Sequence, residues 1–452
     1  MTMTLKQSDL YRFERLVSKL IKPSDNPMVC FIPLDGSLKL CAFSKDAMLT
    51  MHVNKEGFLD PFTMQWSDLK ALAVGKKNVD ITFNLTKDSV HVRCGEEQHW
   101  FSVSTKVNAL PNAPLQTSIH PKVHLLDALN DAGRCVDKDS IKTALTGICL
   151  RGATSQIIST TRVQLLIQEG YNFTWGESDV IVHASKIFGS KELREIDTDE
   201  MLMGLVNEFV YFSIGAVEFW LRGIDGKFPK VDSIVKPAED TTYLNIHPSD
   251  AKFILDRIDK LLGHKEHESP IHLSLDTNVW LRAYDQPQKT GIALELSGST
   301  FTGKSASVSM NRLFLKNALT CGCHRIGIDP AGDKPVICAG EDKTFIFVPL
   351  TDASAPAAEH MDVIASSTQS AVTPKAPATA PAPVKRRRRT VKRDVVTPTG
   401  KAALLQSAEQ LRNNLRDSLL QVNTLIREVK AQKQKDRLLK TTMDSLRKLS
   451  LA

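Results

Sequence analysis

Two groups of residues have types and spacings suited to chemistry: thiols near imidazoles, and cations recurring along one helical face. Cys321-Gly322-Cys323-His324 has the local form of half a metal site, and His264-Lys265-Glu266-His267 offers two further imidazoles. A structural zinc site needs four convergent ligands, and neither cluster is accompanied by a second spaced pair. Packed thiols are therefore the expectation, and no metal is assigned. The eight cysteines are scattered through 452 residues, mostly in apolar strand-like surroundings, which fits reduced thiols better than a disulfide framework. No G-x-x-x-x-G-K-S/T loop occurs and no G-x-G-x-x-G opens a helix. The acidic residues are dispersed, without a pair placed for metal-assisted hydrolysis. Catalysis is the weaker class, and no cofactor is expected.

The cations are more informative. Arg12, Arg15, Lys19 and Lys22 recur at spacings of three, four and three, which stacks them on one side of a helix. Leu10, Phe13, Leu16, Val17 and Leu20 occupy another side and mark the face that packs. Such a stripe is either a solvated face or one that looks at phosphates. Charge along the chain is uneven. Residues 351–452 carry 19 basic and 9 acidic side chains, so the total of +7 conceals a slightly acidic body and a strongly basic tail. Any contact of the body with nucleic acid must use a local basic surface rather than its overall charge.

The elements that position these residues repeat. A unit of roughly 115 residues recurs three times: helix, strands, second helix, strand meander. First helices are predicted near Ser8–Ile21, Pro121–Ala132 and Pro248–Leu262. Second helices are predicted near Met64–Ala73, Ser185–Ile196 and Met310–Leu319, each about 60 residues after the first. VDITFNL, SVHVRC and HWFSVS close the first unit, EFVYFSIG and AVEFWLRGI the second, and HRIGID, KPVICAG and KTFIFVPL the third. Their alternation and short polar breaks read as antiparallel meanders. Helices with one apolar stripe then pack on sheet faces, an α+β class. Units of this length are separate similar domains rather than solenoid repeats. The boundaries are placed at residues 1–118, 119–240 and 241–350. Composition is ordinary for a globular chain, at 42% apolar and 24% charged. No run is long enough to span a bilayer and the first residues lack a secretory apolar core, so a cytoplasmic protein is expected.

After Leu350 the composition changes. Residues 351–398 are rich in Ala, Pro, Ser and Thr, read as an irregular linker, and end in a polybasic run beginning Lys385, Arg386, Arg387, Arg388 and Arg389. Residues 399–452 read as a helix. Leu404, Leu411, Leu425, Leu439 and Leu446 share one heptad position and Ala408, Leu415, Val422, Val429 and Met443 another, with Ser418, Gln432 and Asp436 interrupting the seam.

Several segments, in order, resemble the bacterial DNA polymerase III beta subunit family, the sliding clamps. They are DGSLKL, HWFSVSTKVNALP, Leu145-Thr146-Gly147, IISTTRVQLLI, GIDGKFPKVDSIV and PVICAGEDKTFIFVPL, and DGKFP is the most specific. Each motif is short; their order and spacing carry the resemblance over residues 1–350. It implies a homodimeric ring of six similar domains, with helices lining a hole through which double-stranded DNA slides and sheets outside. It implies that Arg12, Arg15, Lys19 and Lys22 face DNA, with Lys186, Arg312 and Lys316 as further candidates. The tail lies outside the resemblance, and its polybasic run is expected to hold DNA by charge alone. The resemblance also implies a groove for short linear motifs of DNA polymerase and clamp-loader subunits. By position that groove is lined by Leu145, Thr160, Arg162, Val163, Gln164, Leu165, Pro229, Ser233, Ile234, Pro335, Ile346, Phe347, Val348, Pro349 and Leu350. Phe101 and Val103 match the family's first-domain interface strand, and Leu261 and Leu262 the residues opposite it; own-domain packing is the competing reading. The chain departs from the family at Arg162-Val163-Gln164-Leu165, where Gly-His-Arg-Leu is usual. It departs again at Val348, where methionine is usual, and at Thr351, where an arginine commonly follows. The expectation is a noncatalytic, nucleoid-associated processivity factor with altered motif preference. The alternative is a clamp-like DNA-binding scaffold acting through its tail.

Overall fold

The computed structural model describes residues 2–25, 27–73, 79–106, 112–232, 234, 237, 239–263, 269–285, 288–350 and 360–366. The expected heptad helix, the polybasic run Lys385–Arg389, Ser233 and the His264–His267 segment lie outside the described residues.

The first domain contains strands β1 (Thr2–Lys6), β2 (Met28–Pro33), β3 (Ser37–Phe43), β4 (Ala47–Asn54), β5 (Glu56–Gly57), β6 (Phe62–Gln65), β7 (Asp80–Leu85), β8 (Ser89–Cys94) and β9 (Glu97–Ser102). The second contains β10 (Ser118–Pro121), β11 (Gly147–Arg151), β12 (Gln156–Thr160), β13 (Gln164–Gln168), β14 (Asp179–His183), β15 (Glu200–Val206), β16 (Phe209–Ile214) and β17 (Val217–Arg222). The third contains β18 (Thr242–Asn245), β19 (Pro270–Leu275), β20 (Val279–Asp285), β21 (Thr290–Glu295), β22 (Thr300–Thr302), β23 (Ala306–Asn311), β24 (Arg325–Ile328), β25 (Val336–Ala339) and β26 (Lys343–Phe347). A further strand, β27 (His360–Ala365), follows it. The helices are α1 (Gln7–Leu20), α2 (Trp66–Leu72), α3 (Lys122–Ala132), α4 (Lys191–Arg194), α5 (Pro248–Leu255) and α6 (Arg312–Thr320).

These strands form four sheets, ordered β5-β1-β7-β8-β9, β10-β15-β16-β17-β4-β3-β2-β6, β14-β11-β12-β13-β26-β25-β24-β18-β22 and β23-β19-β20-β21-β27. Two sheets cross domain boundaries. β4 of the first domain pairs antiparallel with β17 of the second, Leu49 opposite Phe219, and β13 of the second pairs with β26 of the third, Leu165 opposite Ile346. Main-chain hydrogen bonds therefore run continuously through each junction.

The local reasons are ordinary ones. α1 buries Leu10, Phe13, Leu16 and Val17 against the sheets, each worth about 1.5–3 kcal/mol relative to exposure. Phe31 stacks on Phe62 with ring centroids 4.5 Å apart. The β16–β17 turn places Gly215 at φ +53 with no space for a Cβ, which would approach Ile196 to 2.9 Å. Among the described residues no helix is long and apolar enough to cross a membrane.

Three elements differ from expectation. The helix predicted over Ser185–Ile196 is a 3-10 turn at Lys186–Gly189 followed by the single turn α4. Ser185 accepts from the Ile187 N–H and Ser190 from the Leu193 N–H, so two side-chain caps divide the segment. The helix predicted over Pro248–Leu262 stops at Leu255 and resumes as a 3-10 turn at Ile258–Lys260. There the Arg312 guanidinium donates to the carbonyls of Ile258 and Leu261, satisfying acceptors outside a regular helical ladder. Finally, β27 lies inside the segment expected to be an irregular linker. Met361, Val363 and Ile364 give it strand-forming character, and the open edge of β21 supplies backbone partners.

Candidate DNA-facing helices and partner groove

The basic stripe sits on α1, where Arg12, Arg15 and Lys22 are exposed and Lys19 is half-buried. This first-domain helix meets the second domain end to side: Ser185 Oγ donates to the Lys19 carbonyl at 3.3 Å. Glu192 on α4 pairs with Arg15 at 3.4 Å and more closely with Lys19. Burial alone would raise the Glu192 carboxyl, but Lys19 and Arg15 outweigh it and hold the carboxyl below its usual value. Two of the four stripe cations are thus compensated by a carboxylate far away in sequence. Arg12, Lys22 and the exposed Lys186 form no ion pair among the described residues.

The two third-domain candidates differ from each other. Arg312 is 6% exposed. Its Nε donates to the Ser269 carbonyl at 3.0 Å and its Nη1 to the Leu261 carbonyl at 2.8 Å. It therefore ties the start of α6 to main-chain carbonyls that follow α5 and open β19, and its assignment to a phosphate-contacting face is corrected. The resemblance makes it a candidate by its place on a predicted helix, but an arginine can direct its whole fork to main-chain carbonyls. Lys316 is half-buried and pairs with Asp259 at 2.5 Å.

The candidate groove residues gather around the β13–β26 junction. Gln164 is opposite Phe347 and Leu165 opposite Ile346, and Val348 N donates to Val163 O at 2.9 Å. Thr160 Oγ1 donates to the Gln164 carbonyl at 2.7 Å, closing the β12–β13 turn. Arg162, in that turn at φ +77, reaches Asp137 at 3.2 Å, and Asp137 N in turn binds the Leu145 carbonyl at 3.0 Å. Leu145, Thr160, Gln164, Leu165, Ile346, Phe347 and Pro349 are buried, and Leu350 is half-buried. Arg162, Val163, Pro229, Ile234, Pro335 and Val348 are exposed. Pro229 and Ile234 flank Val231, which packs with Leu165 and Ile346 in one apolar cluster. The buried members form an apolar wall within the junction, and Val163 and Val348 (47% and 44% exposed) are exposed apolar side chains beside it.

Behind this wall the junction is held by charge. Lys343 on β26 pairs with Asp131 of α3 at 3.0 Å, with both side chains largely buried. Burial opposes the Lys343 charge, yet Asp131 more than offsets it and holds the ammonium above its usual pKa. At the other junction Glu218 accepts from Tyr211 at 2.8 Å and Thr50 at 3.0 Å and pairs with Lys39 at 3.4 Å. Here too burial would raise the carboxyl, but these partners hold it lower.

The cysteine candidates are packed. Cys321 and Cys323 are buried, and burial pushes the Cys323 thiol up to about 12, so it is protonated at neutral pH. Among the described residues no three His, Cys, Asp or Glu side chains are grouped to hold a metal ion. Phe101 and Val103 are half-buried against the first-domain core, Leu261 is buried in the third-domain core, and Leu262 is half-buried. Sequence reasoning missed Trp100 on β9, 66% exposed and stacked on His91 with ring centroids 4.3 Å apart. Alternation in HWFSVS marked the strand but not which side of it lacked cover.

No family model matches the chain. A beta sliding clamp of Treponema pallidum is 22% identical over 206 residues, covering 44% of this chain and 54% of that protein. The match thus spans about half of that relative's length. Among solved structures, a putative DNA polymerase III beta subunit from Eubacterium rectale has a TM-score of 0.65 at 13% identity, covering 78% of this chain and 100% of its own. A Pseudomonas aeruginosa sliding clamp bound to griselimycin has a TM-score of 0.65 at 16% identity, covering 78% and 99%. The beta subunit from Thermotoga maritima has a TM-score of 0.63 at 16% identity, covering 78% and 100%. The chain has the three-domain fold of these proteins.

Proposed function

We propose that the chain is a DNA sliding clamp: a noncatalytic ring, closed by two copies, that encircles duplex DNA and tethers a polymerase to its template. The observation that carries this reading is the sealing of both internal domain junctions by a continuous antiparallel sheet. A chain built this way leaves one sheet at each end, and among the described strands β9 of the first domain is an edge without a further partner. Two copies joined head to tail satisfy that geometry and close after one rotation. The cations Arg12, Lys22 and Lys186 supply backbone attraction without base readout, as sliding requires. In this reading Val163 and Val348, with the Leu165–Ile346 wall behind them, receive short apolar motifs of polymerase and clamp-loader subunits.

Tethering raises effective concentration, so it lengthens each synthesis event rather than speeding a single addition. Primer extension on a primed circle, with a bacterial replicative polymerase and its loader, tests this. Longer products per binding event at unchanged single-nucleotide rate support the clamp. Unchanged product length with the chain in excess counts against it.

A further inference from the structure

The three domains repeat one pairing rule. In the first domain the third strand of the opening meander, β4, takes β17, the last strand of the second domain. In the second domain the equivalent strand, β13, takes β26, the last of the third domain's closing meander. The equivalent strand of the third domain is β21, and the last strand of the first domain's closing meander is β9. The rule therefore reserves β21 for the β9 edge of another copy. In this structure the β21 edge is occupied within the same chain.

β27 pairs along all of β21, from Thr290 opposite His360 to Glu295 opposite Ala365. Both inter-domain seams are antiparallel, whereas this pairing is parallel, the single parallel pairing among the described strands. Parallel ladders are slightly less stable per residue. The cover is also thin. Met361, Val363 and Ile364 remain exposed, whereas Leu165, Ile346 and Phe347 at the β13–β26 seam are buried. Beyond the ladder, the Met361 thioether lies over Gly291 and Ser297 N donates to Ser366 Oγ at 3.0 Å. An uncovered β21 would be an unpaired strand edge, a template for pairing with another chain.

We infer that β27 is a built-in plug on the ring-closing edge, a strand that the β9 of a second copy must displace before the ring can shut. The inference rests on the sliding-clamp reading and adds regulation to it. Dimerisation is set by competition between an intrachain strand and a partner strand. Anything that captures β27 promotes closure.

Sedimentation velocity across a dilution series of the full chain tests this with two variants. The first, Val363→Pro with Ile364→Pro, removes the ladder donor that one of these two adjacent residues supplies to β21. It is expected to dimerise at a concentration lower by about tenfold or more, with faster hydrogen exchange in β21 before association. The second, Ala293→Cys with Val363→Cys, joins a register pair. Its oxidised form is expected to stay monomeric and its reduced form to recover the parent's behaviour. Equal dimerisation of parent, proline variant and oxidised lock overturns the plug while leaving the ring intact. A proline variant that exposes β21 yet stays monomeric at every concentration overturns the ring reading and the plug together. If the proline variant does not fold, the oxidised lock alone decides: dimers at the parent's concentration overturn the plug.

Discussion

Glu192 sets how much of the α1 charge is available to a phosphate backbone, because it engages Arg15 and Lys19 together. Glu192→Gln should therefore strengthen DNA binding and steepen its dependence on salt. Arg12→Gln and Lys22→Gln should each weaken binding evenly across sequences and reduce the salt slope by about one. Titration of DNA affinity against salt checks both. The same carboxylates make the first junction acid-sensitive. Glu192 and Glu218 are held below the usual carboxylate pKa. Their contribution is present above the unfolded value of about 4.3 and is lost as pH falls through the lower folded value. Thermal unfolding followed from pH 7 to pH 3 should show the loss beginning below about pH 4.5, and Glu218→Gln should reduce that pH dependence. At this scale the sequence was partly legible. The α1 stripe follows from spacing alone. Arg312 shares the type and helical placement of a surface cation, and nothing local shows that five carbonyls surround it. The neutralising Glu192 was equally hidden, because the contact spans two domains.

At the scale of elements, each junction is a strand pair backed by ionic and apolar contacts. Lys343→Met should destabilise the second junction by about 3–5 kcal/mol, since it leaves Asp131 buried without its partner. Differential scanning calorimetry should show the loss, and the paired change with Asp131→Leu should recover much of it. Val163→Asp and Val348→Asp are expected to behave differently. Both side chains are exposed, so stability should hold within about 0.5 kcal/mol. Affinity for an apolar clamp-binding peptide, measured by fluorescence anisotropy, should fall at least about tenfold. A melting temperature that drops with either change would mean the two valines support the wall itself. The strand meanders were legible because alternation over short runs specifies which face is buried. The α4 segment was misread because its apolar spacing is helical while its two serines cap. β27 was missed because its six residues sit in an Ala- and Pro-rich stretch, and its partner edge is a feature of the fold rather than of neighbouring sequence.

At the scale of the whole molecule, the threefold repeat carried the architecture, because equal helix spacings and three similar meanders leave few alternatives for packing. Repetition also carries the pairing rule that makes β4, β13 and β21 equivalent, but only the observed register shows the last of them covered. Encirclement is a topological property, so retention on DNA of different connectivity tests it without relying on affinity. Protein loaded on a nicked circle should remain through gel filtration at a salt concentration that suppresses phosphate contacts. It should leave when a restriction enzyme linearises the same DNA. Retention that is equal on circular and linear DNA, or lost from both as salt rises, would contradict encirclement and leave only electrostatic attachment.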